Sequence, residues 1–290
     1  MILSILIPAY NRDCTRLVDD LLEQIPQDAE IIVGNDKSTS PEAVMAYQKL
    51  AKQKQCRVFE PSENLGRSRI LNRLFELSSG KWLLILDADM QIISTDYIKS
   101  YLRATTEHPA DIYFGGLKNT ESCPKGCELR WTYETQIYRR RTTEFRETHP
   151  YESLTTTNIM IDRDAFAQTG FREDITKYGY EDIFLLQDMK RRGKKIHHME
   201  NRVVHLDIDS NAQFLSKTRE ALRTLHSLPQ ETWPQTKLVN TFLFLQKYHI
   251  HRMVALLHIL LLPLTRRILC SRFVSLNLYQ FYKLGYFCGL

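Results

Sequence analysis

Glycine is missing from the place where a phosphate-cradling turn would need it. The opening run Ile2-Leu3-Ser4-Ile5-Leu6-Ile7 reads as a first strand and passes into Pro8-Ala9-Tyr10-Asn11 without one. Only glycine lets the backbone come close to a pyrophosphate in such a turn, so dinucleotide oxidoreductases and methyltransferases of that build are excluded. A basic n-region and a cleavage site are also lacking, so this segment is read as domain sequence and not as a secretion signal. The six cysteines are scattered, and Cys123 and Cys127 form a lone C-x₃-C pair with no second half. Reduced thiols of a cytosolic protein are the expectation. Repeats and low-complexity segments are absent. Charged residues at 25% and hydrophobic residues at 43% exclude disordered and collagen-like classes. The net charge of +5 is mild and is compatible with anionic partners such as nucleoside diphosphates or acidic lipid. Arg139-Arg140-Arg141 and Lys190-Arg191-Arg192 read first as solvated faces, and no nucleic-acid partner is expected.

What is present is alternation. Strand-like runs at 4–7, 30–33 and 57–59 and the run 82–86 are separated by helical patterns at 15–25, 41–54 and 65–79. Such alternation builds a mainly parallel sheet with helices on both faces and right-handed crossovers. Beyond it, strands are expected at 112–117 and 155–161, extended segments at 195–199 and 202–205, and helices at 164–169, 181–192 and 211–228. Residues 123–150 are polar, aromatic and basic and give no clear element.

The most informative stretch is Lys81-Trp82-Leu83-Leu84-Ile85-Leu86-Asp87-Ala88-Asp89. It reads as a buried strand ending abruptly in acid. Buried carboxylates are costly unless paired or metal-bound, and ligands of open α/β sheets gather at the carboxyl ends of strands. Asp87 and Asp89 therefore point to a hard divalent cation, which would serve a phosphate, or else to a cap on the following element. Asp89 is the metal ligand in this reading, and Asp87 binds a ribose or the metal through water. Tyr10 is placed to stack on a base or to fill a loop. Asp36, at a strand end, either accepts from a nucleobase or ribose or caps a helix. Gly66 lets backbone approach a ligand, and Arg67 or Arg69 can neutralise a diphosphate or lie on a helix surface.

The ordered set of these motifs resembles family 2 glycosyltransferases over roughly residues 2 to 225. Ile5-Leu6-Ile7-Pro8-Ala9-Tyr10-Asn11-Arg12 is similar to the family's opening, whose first loop, here with Pro8 and Tyr10, holds the nucleotide. Asn35-Asp36-Lys37-Ser38 stands where the family often has Asp-Asp-Gly-Ser, so only Asp36 is carried over, as a nucleobase or ribose partner. Glu63-Asn64-Leu65-Gly66 resembles the Asn-x-Gly loop, and Asp87-Ala88-Asp89 the D-x-D metal motif. Lys177-Tyr178-Gly179-Tyr180-Glu181-Asp182 looks like the family's Gly-x-Gly-x-Glu-Asp motif, which implies Asp182 as general base and Glu181 as the group that positions the acceptor. The rival reading is two acids favoured by a helix dipole. The resemblance further implies His205 as a metal ligand with Asp89, with His197 and His198 as competitors, and Mn²⁺ or Mg²⁺ as cofactor. It implies an α/β GT-A fold: a mixed, mainly parallel sheet flanked by helices, followed by a C-terminal helical extension. Trp131 and Tyr133 are candidates for a sugar-stacking wall or the core, and Asn158 for a sugar contact or a backbone bond.

The expected domains are a catalytic part at 1–228, divided into a nucleotide-sugar half at 1–120 and an acceptor half at 121–228, and an amphipathic helical segment at 229–290. That last segment is apolar over 238–264 and then mixes arginine with aromatic residues. It suits a membrane interface, a packed hairpin or a dimer contact. The implied function is inverting transfer of a hexosyl or N-acetylhexosaminyl group, UDP-linked as is common in the family, to a glycan or lipid-linked saccharide. The implied setting is cell-surface polysaccharide or lipopolysaccharide synthesis, peripheral on the cytoplasmic face of the inner membrane. The alternatives are a non-catalytic nucleotide-sugar-binding scaffold at a membrane, and a sugar nucleotidyltransferase, which the glycine-free first loop disfavours.

Overall fold

The structure is a computed structural model and describes residues 1–152, 154–175, 178–234 and 236–290. In chain order, the first half runs β1 (Leu3–Ala9), α1 (Thr15–Leu22), β2 (Ala29–Asn35), α2 (Pro41–Leu50), β3 (Cys56–Phe59), α3 (Arg67–Leu77), β4 (Trp82–Ile85), β5 (Met90–Gln91), α4 (Tyr97–Glu107), β6 (Ile112–Phe114) and β7 (Leu117–Asn119). Then follow α5 (Glu128–Arg140), α6 (Thr143–Thr148), β8 (Ile159–Asp162), α7 (Arg163–Ala167), α8 (Glu181–Arg191), β9 (Ile196–His198) and β10 (Val203–His205). Among the described residues four α-helices follow, α9 (Asn211–Ser227), α10 (Lys237–Lys247), α11 (His251–Leu269) and α12 (Leu276–Cys288), with a short 3₁₀ turn at Gln230–Thr232 between the first two.

Two compact units divide it. The first holds residues 1–120, 138–176 and 181–207; the second holds 121–137, 177–180 and 208–290. In the first, seven strands form one sheet in the order β3-β2-β1-β4-β8-β6-β9, and β5-β10-β7 form a smaller one. Strands β3, β2, β1 and β4 are mutually parallel, whereas β8 runs antiparallel to both β4 and β6. The sheet is thus mixed and mainly parallel, as expected. The chain steps from β1 to one side through β2 and β3, then returns to β1's other side with β4. That reversal opens a crevice at the carboxyl ends of β1 and β4.

Period-two alternation explains why the sheet is covered on both faces. Leu3, Ile5, Ile7 and Leu84 join one core cluster with Tyr97, Tyr101 and Tyr113, and Leu6, Ile32, Leu83 and Ile85 join another with Leu71 and Leu74 of α3. Each such side chain contributes about 1.5–3 kcal/mol of burial, which anchors the strand ends that carry the polar site. Ser40 caps α2 by accepting from the Ala43 amide, with Pro41 opening the helix.

The stretch without a clear element is helical. Helix α5 fully buries only Leu129, so it shows little of the apolar periodicity by which helices are read. The strand expected at 155–161 starts later, at Ile159, because Asn158 just before it sits at φ +55°, outside the extended region. In the second unit α9, grouped above with the catalytic part, packs with α12: Leu222 and Leu225 meet Phe287 and Cys288, and Leu215 meets Tyr279 and Tyr282. Tyr133 belongs here too, half-buried and edge-on to Tyr279 with ring centroids 5.5 Å apart. All six cysteines are free thiols, and Cys127 Sγ donates to the Ile208 carbonyl.

Candidate active site

The site begins at the ends of three strands. Beyond β2, Asp36 is buried and its carboxylate accepts from two amides, Leu65 N at 2.7 Å and Gly66 N at 2.8 Å; its carbonyl accepts from Asn64 Nδ2 at 2.7 Å. Asp36 therefore builds the 64–66 turn, a task that the sequence reading did not assign it. Gly66 sits at φ +80° just before α3, a backbone conformation that a side chain disfavours. Past β1, Tyr10 is half exposed. Its neighbour Asn11 ties the loop after Pro8 to the 38–40 loop, with Oδ1 accepting from Thr39 N at 2.7 Å and Ser40 N at 2.8 Å.

Arg67 opens α3 and points across the strand ends. Its Nη2 donates to Asp87 Oδ1 at 2.8 Å, and its Nη1 donates to Asp182 Oδ1 at 3.0 Å and to Thr156 Oγ1 at 2.8 Å. Burial opposes the guanidinium's charge, but Asp87, Asp182 and Glu181 more than offset it, so its proton is held more tightly than usual. Burial raises Asp87 above the ordinary carboxylate range; Arg67 pulls it down, and Asp89 and Asp182 push it back up. Of the two expected arginines, Arg67 therefore joins the carboxylates, neither lying loose on a helix surface nor standing clear of them. Among the described residues Arg69 makes its side-chain hydrogen bond to the Glu173 carbonyl, at 3.3 Å, away from this cluster.

Asp182 lies in the first turn of α8. The Tyr178-Gly179-Tyr180 turn before it carries two positive φ angles, +108° at Gly179 and +69° at Tyr180. At Gly179 a Cβ would also approach the Ala221 Cβ to 2.5 Å, so nothing larger fits. Lys177, the start of that motif, lies outside the described residues. Besides Arg67, Asp182 accepts a close hydrogen bond from the Thr156 hydroxyl and one from the Thr156 amide at 3.3 Å.

Thr156 and Thr157 were missed by the sequence reading. Strand β8 runs antiparallel to β4, so the residues that lead into β8 lie where β4 ends. There Thr157 Oγ1 accepts from the Asp87 amide at 3.0 Å. The signal was a run of three threonines ahead of an apolar strand. Asn158, by contrast, is wholly structural. It is fully buried at φ +55°; its Oδ1 accepts from the Tyr97 and Tyr101 hydroxyls at 2.6 and 2.8 Å, and its Nδ2 donates to the Gly116 and Asn201 carbonyls.

Asp89 meets His205. Strand β10 pairs antiparallel with β5, His205 opposite Met90, which brings the imidazole beside the acid. Nε2 of His205 and Oδ2 of Asp89 are 3.1 Å apart. Two adjacent ligands of an octahedral ion with bonds of about 2.1 Å are about 3.0 Å apart, so the pair fits a divalent cation. Among the described residues no group of three His, Cys, Asp or Glu side chains could hold a metal, and the neighbouring acid Asp87 is paired with Arg67. The competing histidines are held elsewhere: His197 stacks on His108 with centroids 4.3 Å apart, and His198 bonds the Pro150 carbonyl at 2.9 Å.

The chain's sequence matches the family described as glycosyl transferase family 2 over residues 4–170. No curated protein matches. Among solved structures, TarS 1–349 from S. aureus in complex with UDP is 17% identical with a TM-score of 0.54, covering 78% of this chain and 66% of that one. Its complex with UDP-GlcNAc is 16% identical with a TM-score of 0.53, covering 97% and 78%. The mannosyltransferase PcManGT from Pyrobaculum calidifontis, in complex with GDP-Man and Mn²⁺, is 16% identical with a TM-score of 0.56, covering 77% and 63%. The chain thus spans just under two thirds of the UDP-bound TarS and of the mannosyltransferase. At these identities the likeness carries the fold, which is the GT-A arrangement.

Proposed function

Because the chain belongs to glycosyl transferase family 2, we propose that it moves a hexosyl or N-acetylhexosaminyl group from a nucleoside-diphosphate sugar, UDP-linked, to an acceptor hydroxyl with inversion. The observation that carries this reading is the convergence of Asp87 and Asp182 on Arg67, in the crevice that also holds the Asp89–His205 pair. An inverting transfer is one in-line displacement: the acceptor oxygen attacks the anomeric carbon, the bond to the diphosphate breaks, and the hydroxyl proton needs a base. Asp182 takes that proton, and Glu181, next to it in the first turn of α8, orients the acceptor. Arg67 and Thr156 fix the Asp182 carboxylate, which keeps base and attacking oxygen in line.

Asp89 and His205 would hold Mn²⁺ or Mg²⁺, which supplies Lewis-acid help to the departing diphosphate. Asp87 faces the ribose side, and Pro8, Tyr10 and the Asp36-pinned turn at Gly66 frame the nucleoside. The acceptor is a glycan or lipid-linked saccharide of the kind assembled in cell-surface polysaccharide or lipopolysaccharide synthesis. Release of free UDP from UDP-sugars in the presence of Mn²⁺, with and without added acceptor, tests the reading. Asp182→Asn should lower turnover about 10²–10⁴-fold while UDP binding persists. Absence of any UDP release from a panel of UDP-sugars, or an unaffected Asp182→Asn, refutes it.

A further inference from the structure

The second unit carries a helix whose side chains are sorted against the usual rule. In α11 the buried positions are His258, Thr265 and Leu269. Met253, Leu256, Leu260 and Leu264 are instead 71%, 58%, 68% and 56% exposed. Their spacing of three, four and four residues puts them in one stripe along the helix, on the side away from the buried positions. Phe244 on α10 and Phe273 just past α11 are exposed to a similar degree. Isolated surface leucines need no explanation, but a continuous stripe of them marks an interaction surface.

Charge says what covers it. All 34 acidic residues of the chain lie at or before Glu231; the 59 residues after it carry seven Lys and Arg and no Asp or Glu. Lys247 and Arg252 stand exposed at one end of the stripe, and Arg266, Arg267 and Arg272 at the other. A second copy of this chain laid on the same face would bring these cations together with no acid from either tail to pair them. An anionic bilayer complements both components, since its headgroups answer the arginines and its acyl boundary takes the leucines. No helix among the described residues is long and apolar enough to cross a membrane, so the matching geometry is a helix lying in the interface plane.

We propose that the outward face of α10 and α11, with the Phe273 turn, docks the protein peripherally on an anionic lipid surface. The inference stands apart from the sugar-transfer reading, since it draws on none of the same residues. Flotation of the full chain with vesicles tests it. The protein should float with vesicles containing phosphatidylglycerol and bind pure phosphatidylcholine at least tenfold more weakly. Arg266→Gln and Arg267→Gln should each weaken binding about fivefold. Leu256→Glu with Leu260→Glu should abolish it, whereas Met45→Glu, at an exposed apolar position of the first unit, should leave it intact. Equal flotation of the Leu256→Glu/Leu260→Glu variant overturns the proposal. So does a failure to bind phosphatidylglycerol vesicles at low salt, or a solution dimer that Leu260→Glu splits in a protein without lipid affinity.

Discussion

Arg67 and Asp182 are joined by a 3.0 Å ion pair although 115 residues separate them in the chain. The same guanidinium holds Asp87. One cation therefore ties the acid proposed for proton removal to the strand end proposed for the donor. Replacing Arg67 by alanine should leave Asp182 poorly oriented and lower kcat about 10²-fold, the scale on which a misplacement of about 1 Å acts, with less effect on donor KM. Lysine should rescue little, because one ammonium cannot span two carboxylates as a planar guanidinium does. Steady-state kinetics of UDP release for Arg67→Ala and Arg67→Lys checks this; activity near that of the parent protein would show the bridge to be structural.

Asp89 and His205 are expected to act as one ligand pair. Either Asp89→Ala or His205→Ala should raise the Mn²⁺ concentration for half-maximal donor turnover by at least about tenfold. His205 is held in β10 by backbone pairing, so its side chain can be removed with the small sheet retained. Titration of Mn²⁺ by calorimetry in the presence of UDP separates loss of metal from loss of fold.

His198 should make the first unit acid-sensitive. Burial lowers its pKa to about 4; the Pro150 carbonyl opposes this, and Arg146 and His197 reinforce it. In the unfolded chain it titrates near 6.5, so between pH 6.5 and 4 the unfolded state binds more protons. Its neutral burial costs no stability above that window, and stability falls as pH drops through it, by about 3 kcal/mol in full. His198→Gln can keep a donor to the Pro150 carbonyl and removes the titration. Urea midpoints at several pH values should fall more steeply for the parent chain than for this variant; parallel curves would discount His198.

Asn158 is expected to be a stability residue and not a substrate contact. Removing its side chain takes a partner from the Tyr97 hydroxyl and from the Gly116 and Asn201 carbonyls in the core, while the Tyr101 hydroxyl keeps the Asn158 carbonyl, and alanine at φ +55° adds strain. Asn158→Ala should cost about 2–4 kcal/mol in urea unfolding, while any surviving folded fraction keeps the parent donor KM.

Strand positions and the acids at their ends were legible because long apolar runs that stop at Asp87 and Asp89, or at Asn35-Asp36, leave little freedom in how they are read. The helix at Glu181 was equally plain from its glycine turn and apolar face. The job of Arg67 was not legible, since an arginine at the start of an amphipathic helix looks the same whether it faces water or two acids. Thr156 and Thr157 were hidden for a topological reason: their value comes from β8 running opposite to β4, and strand direction is written in no local pattern. Helix α5 escaped because its contacts are shared among half-buried polar residues. The outward leucines of α11 were visible as an apolar run, but which side of the helix faced solvent required its neighbours.

The turn at residues 64–66 is held by three hydrogen bonds to Asp36 before any ligand arrives. A loop already in its working shape spends no binding free energy on being ordered, so under the proposed sugar-transfer reading a nucleotide would meet a preformed seat at Gly66. The entropy of arranging that turn is charged to folding, once, and not to whatever later approaches it.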